Sequence, residues 1–160
     1  KELTLSGGSF VMAGSFLEEH PGAWSKTYFA SLLEKFIPFG SIFFSIMLVA
    51  FGIDHFFYTA TVADLVPAWV PDHIFWTYFA AVALIGSGVA IMLKIKLKTI
   101  AILLGIMLFI WLIILHIPRA IVAPATDNGN EMTSVFEALG FSGIAFVIAF
   151  GYYYKGKRIE

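Results

Sequence analysis

Four uninterrupted apolar runs constrain this chain more than anything else in it. Ile37–Tyr58, Phe75–Leu93, Thr99–Ile117 and Val135–Tyr154 each approach 20 residues. That length, wound as an α-helix, crosses about 30 Å of hydrocarbon. None of the runs alternates with period two, and each is too long for a buried strand. The whole chain is 59% hydrophobic and only 13% charged. Soluble domains carry about 25% charged residues. A fold of 160 residues in water has no interior large enough for this apolar excess. The sequence therefore predicts an all-α, polytopic membrane four-helix bundle.

The breaks between the runs hold the turn-forming residues. They are Val-Pro-Ala-Trp-Val-Pro-Asp at 66–72 and Ala-Pro-Ala-Thr-Asp-Asn-Gly-Asn at 123–130. Only Lys94–Lys98 joins the second and third runs, a link short enough to force an antiparallel hairpin. Pro118 is expected to close the third span. Strict alternation then puts eight of the ten Lys and Arg residues on the side of that hairpin. By the positive-inside rule that side is cytoplasmic, in an inner membrane. Asp54, Asp64, Asp72, Asp127 and Glu131 fall on the other, outer side. Aromatic residues gather at the expected boundaries, among them Phe56, Phe57, Tyr58, Trp69, Phe75, Trp76 and Tyr78 outside, and Tyr152–Tyr154 inside.

The start of the chain reads differently. Lys1–Leu17 is apolar but short for a span, and it lacks the basic flank and small-residue site of a signal peptide. Residues 1–13 laid over 137–149 match at six of 13 positions: Leu3/Leu139, Ser6/Ser142, Gly7/Gly143, Phe10/Phe146, Val11/Val147 and Ala13/Ala149. Two origins fit this segment. It is the last helix of a preceding copy of the four-helix unit, which the matches favour, or a half-buried N-terminal helix of a single unit. Residues 18–36 form a linker whose aromatic and apolar positions 28/29, 32/33 and 36 share one helical face. It is expected to lie in the cytoplasmic interface. The four-helix unit covers 37–154, and 155–160 is a basic cytoplasmic tail.

A cluster of polar residues falls at the outer ends of the spans. Asp54 and His55 lie one turn from the end of the first, His116 and Arg119 at the end of the third, and His73 opens the second. Glu131 and Asp127 are assigned to the loop before the fourth. Ionisable groups at membrane depth are costly and face a bundle interior or a wet cavity. Asp54, His55, His116, Arg119 and Glu131 thus form a candidate ligand site. Imidazoles titrate near neutral pH and suit hydrogen bonding and proton movement at a quinone carbonyl. The same residues also fit a structural role, with Arg119 pairing to Glu131 or Asp54 to close the bundle.

Other chemistry has less support. The chain has no cysteine, which excludes disulfides, thiolate metal ligands and thiolate-held iron–sulfur clusters. Two histidines without a close ligand pair fall short of a metal or haem motif, so no metal ligands are assigned. There is no strained serine elbow or glycine-rich phosphate loop, so no catalytic residue is assigned. A net charge of −1 gives no case for a nucleic-acid partner. No acid or base is expected mid-span, which disfavours a proton relay. Gly86-Ser87-Gly88 reads as small-residue helix packing.

Three blocks of sequence carry a family likeness. They are Phe51-Gly52-Ile53-Asp54-His55-Phe56, then Val66-Pro67-Ala68-Trp69-Val70-Pro71, then Phe75-Trp76-Thr77-Tyr78-Phe79. With His116-Ile117-Pro118-Arg119 and Glu137-Ala138-Leu139-Gly140-Phe141-Ser142-Gly143, the stretch 37–150 resembles the DoxX-like membrane proteins. The resemblance implies a four-helix membrane unit. It also implies one of two roles. One is an accessory subunit of a quinone-linked redox system, carrying no cofactor itself and touching quinone in the outer leaflet. The other is a non-catalytic binding, assembly or structural subunit of a larger membrane complex. Expected partners are membrane lipid and either other membrane proteins or further copies of this chain.

Overall fold

A computed structural model describes residues 8–14, 39–124 and 130–157, with side chains as far as 151. Among these residues every regular element is helical. The helices are α1 (Gly40–Phe57), α2 (Thr59–Leu65), α3 (His73–Met92), α4 (Leu97–Trp111), α5 (Ile117–Val122) and α6 (Asn130–Lys157). A π-helical turn, Leu112–His116, joins α4 to α5 without a break. Four segments are long and apolar enough to cross a membrane: Gly40–Phe57, His73–Met92, Leu97–Val122 and Asn130–Gly151. The chain is a multi-pass membrane helical bundle.

The outer surface of the bundle explains why composition alone reveals the fold class. Ile46, Ile53, Val82, Leu103, Ile106, Ile110, Ile113, Phe136 and Phe150 are all exposed along the four spans. A contiguous apolar surface of this extent drives association in water, whereas lipid solvates it. The interior is correspondingly thin. Phe44, Leu48, Leu84, Ile91, Leu104, Phe141 and Ile148 form its core with Ala101, Ala145 and Ala149.

The spans pack in two tight pairs, α1 with α3 and α4 with α6. Lipid tails are as apolar as leucine, so close packing and hydrogen bonds, not water exclusion, hold such helices together. Small residues set both contacts. At Gly52 a Cβ would fall 2.8 Å from the Ala81 carbonyl oxygen, and at Gly88 2.8 Å from that of Ser45. Gly86, by contrast, faces open space, so the small-residue patch of α3 makes its contact through Gly88. Between α4 and α6, the buried Ser142 hydroxyl donates to the Gly105 carbonyl at 2.9 Å.

The Lys94–Lys98 connection is a tight hairpin, as expected, but it forms without glycine. Ile95 N–H donates to Ala90 C=O at 2.9 Å and Lys94 N–H to Ile91 C=O at 3.1 Å. This is the double-bonded helix ending that needs a left-handed residue, a place usually held by glycine. Lys94 occupies it at φ 56°, and Lys96 follows at φ 41°.

Three boundaries differ from expectation. Pro118 does not end the third span, which runs on to Val122. Proline lacks an N–H and crowds the preceding turn. Here the wide turn before it absorbs the irregularity, with Ile117 N–H reaching back five residues to Leu112 C=O. Pro118 then sits in the first turn of α5, where a missing donor costs little. Glu131 lies in the first turn of α6, not in a loop. Carboxylates are favoured there by the free N–H groups of a helix start. Residues 59–65, between the first two spans, form the short helix α2.

Residues 8–14, within the Lys1–Leu17 segment, are helical. They pack on this same bundle: Gly8 lies against Ile144, and the Phe10 and Phe43 rings are 6.4 Å apart. The linker 18–36, with its expected interfacial helix, and Asp127 lie outside the described residues, as do residues 158–160 of the tail, whereas 155–157 continue α6.

Candidate functional site

One stripe of each span faces inward at helical spacing. On α1 the stripe is Phe44, Leu48, Phe51 and His55, so His55 extends a row of core positions. On α3 it is Thr77, Ala80 and Leu84, and along the third span Leu108, Trp111 and Leu115. On α6 it is Ser134, Ala138 and Phe141. These stripes converge on a cavity of about 240 Å³ at the end of the bundle opposite the lysine hairpin. Val62, Leu65 and Val66, from α2 and its end, add to its wall, and the cavity stays partly open. Trp76 and Trp111 line it with their rings edge to face, centroids 6.1 Å apart.

α2 is held in place by local bonds. The Thr59 hydroxyl lies 2.9 Å from the carbonyls of both His55 and Phe56. Val66 N–H donates to Ala63 C=O at 3.1 Å and Val70 N–H to Pro67 C=O at 2.9 Å. Asp72, at φ 55°, then starts α3 by accepting the Phe75 N–H. The Pro-rich stretch thus turns the chain back over the cavity in a defined way.

The walls are mostly hydrocarbon, with polar groups from His55, Thr77, His116, Ser134 and Glu137 and the indole N–H of Trp76 and Trp111. The His55 Nδ1 lies 2.7 Å from the Phe51 carbonyl oxygen. A carbonyl can only accept, so Nδ1 carries a proton and fixes the ring orientation. The buried Thr77 hydroxyl donates to His73 C=O at 2.9 Å. The Ser134 hydroxyl donates to Asn130 C=O at 2.9 Å. His116 is half-buried at the last position of the π turn. Single π turns inside α-helices occur often at functional sites.

The five residues singled out from sequence separate into three places. His55 and His116 line the cavity together. Arg119 and Glu131 pair with each other beside it. Arg119 Nε donates to Glu131 Oε2 at 3.0 Å, and a second guanidinium nitrogen donates to Oε1. Glu131 is only 8% exposed. This pair acts electrostatically on His116. Asp54, expected in the same site, is instead exposed and does not line the cavity, because successive helical residues point about 100° apart. His73 is half-buried and does not line it.

Sequence reasoning passed over Glu137. It is the one charged residue in the run 135–154, and it lies inside the fourth span on the cavity wall. That lone acid was the available signal. Thr77, Trp76 and Trp111 gave no comparable one. Among the described residues, no three His, Asp or Glu side chains converge in a way that would hold a metal ion. No known protein family, curated protein or solved structure matches this chain.

Proposed function

We propose that the chain is a DoxX-like accessory subunit of a quinone-linked membrane redox system, and that its cavity receives the ring of a quinone-class or similar lipid-like ligand. One observation carries this: two histidines from different spans meet on the wall of an otherwise apolar, aromatic-lined cavity. Ligand sites share that design, a hydrophobic enclosure with a few convergent polar groups. Drug-sized ligands occupy about 300–1,000 Å³. A cavity of about 240 Å³ suits a substituted ring whose apolar tail stays in the bilayer.

The orientation belongs to the same proposal. With eight of ten basic residues on the hairpin side, that side is cytoplasmic and the cavity lies in the outer leaflet of an inner membrane. Electron transfer falls to a partner, since a chain without cysteine holds no thiolate-ligated cluster.

The test is a titration of the full chain in lipid nanodiscs with a short-tail benzoquinone. A bound quinone ring should quench Trp76 and Trp111. Saturable quenching is expected, weakened about tenfold in His55→Ala and His116→Ala with folding retained. Copurification from the native membrane should bring a cofactor-bearing protein. Absence of saturable binding in the unsubstituted chain would overturn the ligand site.

A further inference from the structure

Backbone carbonyls fix the proton positions of part of the cavity wall. Three of its polar groups have a hydrogen committed to a backbone carbonyl. His55 uses its Nδ1 proton on Phe51 C=O, Thr77 its hydroxyl proton on His73 C=O, and Ser134 its hydroxyl proton on Asn130 C=O. What each retains is acceptor capacity: the hydroxyl lone pairs, and Nε2 wherever the ring carries a single proton. The fourth group, Glu137, is an acceptor in its carboxylate form. Its two oxygens offer about four acceptor sites, so it can take a ligand bond in addition to any it already makes. His116, within electrostatic reach of Glu131 and Arg119, is the one group whose tautomer no hydrogen bond fixes.

We infer that the cavity is built for a hydrogen-bond donor, and that within the quinone class it selects the reduced hydroquinone over the quinone. A quinone presents two carbonyl oxygens and no donors. Set against these acceptors its oxygens gain no bond, and they are served only where His116 or the indole N–H of Trp76 or Trp111 donates. A hydroquinone presents two hydroxyl donors, and the wall offers acceptors from α1, α3 and α6. A site made to bond a ligand hydroxyl discriminates strongly against the analogue lacking it, because its own buried polar groups are then left unpaired.

This rests on the proposal that the cavity takes a quinone-class ring, and one experiment separates the two. The full chain in lipid nanodiscs is titrated by calorimetry, under anaerobic conditions, with three probes. They are a short-tail benzoquinone, its hydroquinone, and the hydroquinone dimethyl ether, which keeps ring and oxygens but has no donors. The hydroquinone is expected to bind at least about tenfold more tightly than either of the others, the worth of one or two net hydrogen bonds. Glu137→Gln exchanges one acceptor oxygen for a donor amide and should narrow the preference, chiefly by raising affinity for the quinone. Equal or tighter binding of the quinone or the ether would overturn donor selection while leaving the cavity as a ring site. Binding of none of the three would overturn both. An unchanged preference in Glu137→Gln, in a protein that still binds hydroquinone, would remove Glu137 from the site's selectivity and overturn its part here.

Discussion

Arg119 and Glu131 are joined through two guanidinium nitrogens and both carboxylate oxygens, clamping the end of the third span to the start of the fourth. The planar fork of arginine matches a carboxylate in this way, and lysine does not. Arg119 is partly exposed and Glu131 nearly buried. Removing Arg119 therefore strands a largely desolvated carboxylate. Arg119→Ala is expected to destabilise the bundle by about 1.5–3 kcal/mol, the range for hydrogen bonds to charged groups. Arg119→Lys should recover only part of this. Replacing both residues by apolar ones of similar size should cost less than Arg119→Ala alone. Thermal unfolding of the four proteins in one detergent checks the ordering.

The two glycines of α3 should respond in opposite ways. Gly88→Ala puts a methyl group against the Ser45 carbonyl of α1, and Gly52→Ala does the same against Ala81 of α3. Each forces the backbones apart and should cost about 1–3 kcal/mol, as overpacking generally does. Gly86→Ala meets open space. It should be neutral or stabilise by up to about 1 kcal/mol, the helix-propensity difference. Equal losses at positions 86 and 88 would contradict the packing described.

Ser142→Ala removes a buried bond between α4 and α6. The cost should nonetheless be small, about 0.6 kcal/mol, as measured for such bonds between membrane helices. A loss several times larger would mean that the serine holds more than the Gly105 carbonyl.

Topology is directly accessible, because the chain has no cysteine to remove. Single cysteines at Lys96 and at Trp69, both exposed, should react with a membrane-impermeant thiol reagent from opposite sides. In the proposed orientation, Lys96→Cys should label only from the cytoplasm. Labelling of both from one side would contradict four crossings.

The spans and the lysine hairpin were legible in the sequence because length and composition fix them without detail. The inward face of each span was not. In a soluble helix an apolar stripe marks the core side, but a membrane helix is apolar all round. Leu104 is buried and Leu103 exposed, yet nothing in the sequence ranks them. Only rare residue types carry direction. His55 and His116 on the cavity wall, and Gly88 at the α1–α3 contact, are of that kind. Glu137 is too, but its acid was absorbed into the apolar run around it. The extension past Pro118 was hidden for another reason. Proline normally signals a boundary, and nothing local announces that Leu112–His116, just ahead of it, will widen into a π turn.

That widened turn has a consequence for how the chain can change in length. Successive residues of an α-helix advance about 100° around its axis. A deletion anywhere in Leu97–Trp111 would rotate His116 and Arg119 by that amount relative to the start of the helix. The segment Leu112–His116 holds one residue more per turn than an α-helix needs. Losing one residue there would convert it to ordinary helix and leave Arg119 facing Glu131. A homologue whose third span is one residue shorter is therefore expected to carry its alignment gap inside Leu112–His116, and to keep the arginine–glutamate clamp.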